Sequence, residues 1–326
     1  MSDKTQQGGG VSRRSYQRRV AEAFGYPPEA SSPQAVQART EHLCPFLGVR
    51  CVKPSQHRDY DPKVPFGACS VWHRGRGVQE PQPYIICPIR FVQEQRVFLD
   101  ASRLLSGTGE VVVIPEISLP IGRIDYILSL IDPLTQKVAD FIVLEVMTCS
   151  TTSTGDVLRS LHDILEGRVT ERRLKYGINF RQVVSRMTVQ VLAKAHACER
   201  WHKRLVWAVQ DVLYQYMRAT TKLDLESMPL AELENVPEEM SILFLSYGME
   251  RDLSSENERF EIKLKEAYGG TKESFARVLE PLEVPRTEKL LELIQQRMGE
   301  ESTFTLHTPL SEGLAKAAPG IVRSDV

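Results

Sequence analysis

The sequence predicts an α/β fold, and three observations carry the prediction. From residue 111 onward, apolar segments of strand length alternate with segments of helical period. One of the helical segments, opening at Asn179, is long and carries its apolar residues at regular helical spacing. The first hundred residues contrast with this: they lack long periodic segments and hold four of the six cysteines.

Taken in order, residues 1–35 combine a triple glycine, the basic residues Arg13, Arg14, Arg18 and Arg19, and a Pro/Ser-rich stretch around Pro27 to Pro33. This composition reads as a flexible basic arm with one short helix over Ser15 to Phe24. Strands are expected at Val111–Ile114, Ile121–Ile131 and Val138–Val146, the last two joined through an Asp132-Pro133 turn. Strict alternation is weak in them, so the sheet is expected to be buried on both faces. Asn179 caps the long helix, in which Val183, Val184, Met187, Val191, Leu192 and Ala195 share one face. A strand at Leu205–Val209, a short helix at Val212–Met217 and strands at Ile242–Ser246 and Phe260–Ala267 follow. An amphipathic helix at Arg286–Met298 precedes a tail. Trp201 and Trp207 are expected to pack the core.

Composition narrows the function. The chain has 326 residues, 41 Lys+Arg against 42 Asp+Glu, and six cysteines. No run of about 18 apolar residues suits a membrane span, and the first twenty positions lack the apolar stretch of a signal peptide. A cytoplasmic location without membrane contact is expected, and there clustered cysteines favour metal binding over disulfides. The net charge of −1 hides segregation: residues 159–218 carry 12 basic and 5 acidic side chains, while residues 101–158 carry 3 and 7. Basic residues neutralise phosphates and carboxylates hold divalent metal, so this distribution suits a polyanionic substrate. P-loop, zincin, nucleophile-elbow and dinucleotide motifs are all absent.

Two constellations stand out. Cys44, Cys51, Cys69 and Cys87 lie in Gly- and Pro-rich surroundings that favour tight turns, as in Cys44-Pro45-Phe46-Leu47 and Cys87-Pro88-Ile89-Arg90. Four thiolates satisfy a tetrahedral ion; from spacing alone, separate buried thiols or two disulfides remain open as well. Cys149 and Cys198 read as ordinary buried thiols. The second constellation is Glu116, Asp125 and Glu145, acids set among strand residues. A carboxylate in an apolar strand is costly to keep charged without a partner, and a divalent metal is the natural one. If the strands around Asp125 and Glu145 form a hairpin, both acids face the same way and can hold Mg²⁺.

These residues, in this order, resemble the NotI-type restriction endonucleases, a branch of the PD-(D/E)xK nucleases. The resemblance runs over roughly residues 41–218 and includes Lys175-Tyr176-Gly177-Ile178-Asn179, Gln190, Lys194 and the stretch from Trp201 to Asp211. It implies a restriction-endonuclease-like mixed sheet flanked by helices. The division would be a basic arm at 1–40, a four-cysteine metal module at 41–100, a nuclease domain at 101–300 and a tail at 301–326. It further implies a homodimeric, Mg²⁺-dependent type II endonuclease cutting double-stranded DNA, working beside a cognate DNA methyltransferase. Asp125 and Glu145 correspond to the metal-binding pair, and the four cysteines to a single structural iron, with zinc the chemical alternative.

One position departs from the pattern. Where the superfamily places Lys, and the NotI branch Gln, two residues after the second acid, this chain has Met147, which neither donates a hydrogen bond nor orients water. The missing group has moved to Lys175 or Lys194, or is dispensable, or the protein is a catalytically degenerate or partner-dependent DNA-binding relative. Gln190 and Lys194, four residues apart on one helix face, are the candidates to reach the sheet beside Asp125, Glu145 and Glu116.

Overall fold

The computed structural model describes residues 19–55, 64–75, 80–168, 175–251 and 258–298. Ser15 to Arg18 of the expected helix, Arg13 and Arg14 of the arm, and the tail from 301 lie outside that set. Twelve strands and seven α-helices are present among the described residues. The first are β1 (Val20–Ala23), α1 (Pro33–Thr40), β2 (Leu43–Cys44), β3 (Val49–Arg50), β4 (Ala68–His73), β5 (Gln82–Ile85) and α2 (Arg96–Ser102). Next come β6 (Glu110–Leu119), β7 (Gly122–Ile131), β8 (Val138–Met147), α3 (Thr154–Leu165), α4 (Phe180–Trp201), β9 (Leu205–Gln210) and α5 (Asp211–Thr220). The chain continues through β10 (Glu226–Met228), β11 (Ile242–Arg251), β12 (Phe260–Gly270), α6 (Lys272–Ala276) and α7 (Thr287–Arg297).

Seven strands form one mixed sheet in the order β10-β12-β11-β9-β8-β7-β6. The β6–β7–β8 meander is antiparallel, whereas β8–β9 and β9–β11 are parallel. Parallel neighbours need a crossover, and α3 with α4 supplies the one between β8 and β9. Alternation along the central strands sends Val143, Trp207, Val209 and Phe244 into a core shared with α3, α4 and α5. The intervening Ile142, Leu144, Val206, Ala208, Leu243 and Leu245 enter the opposite core with Val97 and Ala101 of α2. Both faces of β9 are thus covered, as its uninterrupted apolar run requires.

Away from the centre the expectation of two buried faces fails. β6 is the edge strand and is mostly exposed, with Val111, Val112 and Ile114 each between 37% and 38% accessible. It extends to Leu119, beyond the Ile114 limit read from sequence. Pro115 is tolerated there because an edge strand has unpaired N–H positions.

A second sheet, β1-β4-β5, is antiparallel and lies within the same compact unit, residues 1–281. Its β1 corrects the predicted helix over Ser15–Phe24: Val20–Ala23 is fully buried and pairs with β4, so tertiary pairing overrides the local signal of a short segment. Residues 20–40, expected to belong to an arm, are therefore folded as β1 and α1. Side chains sew this sheet to the large one. Gln210, at the end of β9, accepts from Ile85 N at 2.8 Å and donates to Pro83 O at 2.7 Å. Tyr176 Oη lies 2.7 Å from Trp72 O, and Val20 N donates to Ser160 Oγ of α3 at 3.1 Å.

The deepest tie is ionic. Glu22 of β1 pairs with Arg90 at 3.0 Å, both wholly buried, and accepts from Ser70 Oγ at 2.7 Å. Arg90 Nη2 donates to Phe260 O of β12 at 2.6 Å, and Gln93 Oε1 receives both Arg90 Nη1 at 2.5 Å and Ile262 N at 3.1 Å. A buried pair with its remaining sites satisfied fixes where two elements meet.

Residues 282–326 make a separate unit, of which α7 is the described helix. Among the described residues no helix is long and apolar enough to cross a membrane.

Candidate active site

Sheet register brings the expected acids into one row. Tyr126 pairs with Leu144, so the next step along both strands sets Asp125 against Glu145. On the other side of β7, Pro115 pairs with Tyr126 and Ile117 with Ile124, which sets Glu116 opposite Asp125. Residues directly opposite in antiparallel strands share a face. Glu145 is in phase with Val143 and therefore faces the layer of α3, α4 and α5.

Asp125 is half-buried, and its Oδ2 accepts from Val146 N at 3.0 Å. Glu145 is 1% exposed. Burial, reinforced by the Asp125 charge and opposed by Lys194, pushes its carboxyl up to about 7. Glu116 is different: its φ of 53° is left-handed, its side chain is 67% exposed, and it pairs with Arg123 at 3.6 Å. It sits in the row without touching the other two acids.

Lys194 completes the centre. Valines, methionine and alanine on the same face of α4 press the helix onto the sheet, and Lys194 is carried into that interface at 2% exposure. Its Nζ stands 2.5 Å from Glu145 Oε1 and donates to Arg123 O at 2.7 Å. The ammonium thus bridges the buried carboxylate of β8 and a backbone carbonyl of β7. Gly122 is suited to this approach: at φ +114° it adopts backbone that other residues disfavour, and a Cβ there would already touch Lys194 Cε at 3.9 Å.

The other candidates are separated from the pair. Lys175 is exposed, its backbone N–H bound to Asp156 Oδ2 at 3.1 Å. Gln190 is exposed one turn before Lys194. Met147 packs against the core shared with α4. A cleft of about 610 Å³ lies at the other end of β8, lined by Asp140, Lys203 and Glu199 among others. Its charges are used internally, Lys203 with Asp140 and Glu199 with Lys272, and it is remote from the acid row.

The cysteines also come together, by a different construction. Cys44 ends β2, Cys51 follows β3, Cys69 lies in β4 and Cys87 follows β5. All are free thiols in this structure. Gly67, at φ +66° and with Phe24 ring atoms 2.4 Å from where its Cβ would stand, makes the turn into β4. Burial pushes the Cys69 thiol well above its ordinary value, and the nearby Cys87, Cys44 and Cys51 push in the same direction. Cys44 and Cys87 are raised by burial too, while backbone N–H groups of Phe46 and Leu47 favour the Cys44 thiolate and that of Ile89 the Cys87 thiolate. Among the described residues no group of three or more His, Cys, Asp or Glu is arranged to hold a metal ion. Cys149 and Cys198 are buried elsewhere, as expected. Trp207 is in the core, but Trp201 is 40% exposed, beside Phe141; it closes α4, where the helix leaves the sheet.

Sequence reasoning missed the buried Glu22–Arg90 pair. Its one visible trace is an acid inside the apolar Val20–Ala23 segment, the same signal that flagged Glu145.

No match is found among curated proteins. The family model described as restriction endonuclease NotI matches residues 31–233, a stretch that includes the four-cysteine set, the acid row and Lys194. With more than half its length matched, and with the sequence motifs lying inside the matched region, the chain belongs to the NotI restriction endonuclease family, whose members cleave double-stranded DNA.

Proposed function

We propose that the protein is a site-specific type II endonuclease that hydrolyses phosphodiester bonds of double-stranded DNA with Mg²⁺, acting as a homodimer in the cytoplasm beside a cognate methyltransferase. The observation that carries this reading is the cluster of half-buried Asp125 with buried Glu145 and Lys194. Two carboxylates side by side on adjacent strands suit Mg²⁺, which keeps several waters and uses one or two carboxylates. Bound there, the ion would neutralise phosphate charge and lower the pKa of a water.

The remaining steps belong to the chain. Asp125 and Glu145 would hold the ion, and so set where along the sheet the reacting phosphate would lie. Asp125 is held by Val146 N–H and does not need to reorient. The Lys194 ammonium lies against Glu145, where it stabilises negative charge as water attacks phosphorus and the 3′-oxygen leaves. Glu116 and Gln190 flank this centre and assist, Glu116 by approaching from the far side of Asp125 and Gln190 by orienting water from the next turn of α4. Lys194 supplies the group that Met147 lacks, which favours an active enzyme over a degenerate relative.

In this reading the four cysteines would hold one iron or zinc ion in the module spanning residues 41–100, the ion drawing into a tetrahedron sulfurs that lie near one another without being arranged as a metal site. Their donor chemistry fits: four soft sulfurs, with N–H groups already turned to two of them.

Incubation with mixed-sequence genomic DNA tests the reading. Discrete fragments that require Mg²⁺ are expected; intact DNA over a range of pH and divalent metals contradicts catalysis.

A further inference from the structure

Two arginines beside the acid row have no structural employment that explains them. Arg123 lies two residues from Asp125 on β7, hence on the same face and about 7 Å away along the strand. Its side chain is 61% exposed, and its ion pair with Glu116 is long, at 3.6 Å, and equally exposed. Such a pair contributes little and exchanges readily for a stronger anion. Arg186 belongs to α4. It stands two turns before Lys194, with Gln190 between them, so the three residues form one i, i+4, i+8 row about 12 Å long. Arg186 is exposed and has no acidic partner among the described residues.

Arg181 and Arg200 of the same helix share that freedom, whereas other arginines of the chain do not. Arg96, Arg103, Arg168, Arg251 and Arg277 each meet a carboxylate. On α4, by contrast, no Asp or Glu occurs from Phe180 to Cys198, and the one acid that follows, Glu199, is bound to Lys272 at 3.0 Å. A merely solvated helix face intersperses both signs; this flank carries no acid, and its two charges are both cationic, Arg186 exposed and Lys194 buried.

We propose that Arg123 and Arg186 bind backbone phosphates flanking the one being cleaved, Arg123 a near one from the sheet and Arg186 one several steps along from α4. The proposal rests on the endonuclease reading and adds to it the track the DNA backbone follows across the site. Guanidinium groups suit the task because they bind phosphate in a bidentate manner. At 3.4 Å per base step along the duplex axis, the separation of Arg186 from Lys194 corresponds to about three to four steps.

Each neutralised phosphate contributes about 0.9 to the slope of log binding constant against log salt. The test compares wild type with the Arg123→Ala/Arg186→Ala double variant, binding a mixed-sequence duplex without divalent metal across a NaCl series. The expected result is a slope smaller in magnitude by about 1.8, with affinity lowered most at low salt, and an Arg123→Lys/Arg186→Lys variant that keeps the wild-type slope. Unchanged melting temperatures, expected for two exposed positions, separate this from misfolding. Equal slopes for wild type and the alanine variant overturn the proposal alone; a wild type that binds no DNA overturns the endonuclease reading with it.

Discussion

Asp125 and Glu145 stand on two ten-residue strands, whereas Cys44 and Cys51 stand on and beside strands of two residues each. The difference is one of how position is secured. Six paired positions running up to the acids, on strands that bury residues toward both layers, fix register, because a slip of one residue would turn every side chain to the wrong face. The acid pair is therefore placed by the sheet before any ligand arrives. The four sulfurs depend on turns and on a hairpin too short to hold itself. The first site is built by the fold; the second takes part in building it.

The largest expected effect is on catalysis. Asp125→Asn removes charge while keeping an oxygen for Val146 N–H, so cleavage should fall by at least about 10³-fold, or about 4 kcal/mol in the barrier. Melting temperature and duplex binding should stay near wild type. A variant that unfolds instead would show that the acid row, like the cysteines, is needed for assembly.

A smaller effect, of the opposite kind, is expected at the cysteines. Cys69→Ser should lower stability by about 3 kcal/mol, the linkage expected for a ligand held at about a hundred times its Kd. Thermal melting checks it: a chelator should lower the wild-type melting temperature and leave the variant's unchanged. Wild-type melting that ignores the chelator contradicts an ion at this site.

What is legible in the sequence follows the same division. β7, β8, β9 and α4 can be read nearly to their ends, because long apolar periods bounded by a cap or a turn admit few alternatives. Asp125 and Glu145 are legible for the same reason, being charges on elements whose register is set by their neighbours. β1 reads as helix in the sequence, since four residues carry no period and its state is decided by pairing with β4, a strand nearly fifty residues on. The Glu22–Arg90 pair is hidden likewise: it joins residues 68 positions apart. Lys194 lies between these cases. Its helix and its face are readable, but nothing local separates a lysine that points to solvent from one that enters the interface, as Lys175 and Lys194 do respectively.

That lysine carries the central claim, that an ammonium on α4 serves the acid pair in place of a residue at Met147. The most direct measurement is single-turnover cleavage of DNA by Lys194→Met, whose side chain preserves the length of the stem. The account predicts a loss of about 10²- to 10³-fold, partly restored when Met147→Lys is added to the same chain. Cleavage by Lys194→Met at the wild-type rate would contradict it.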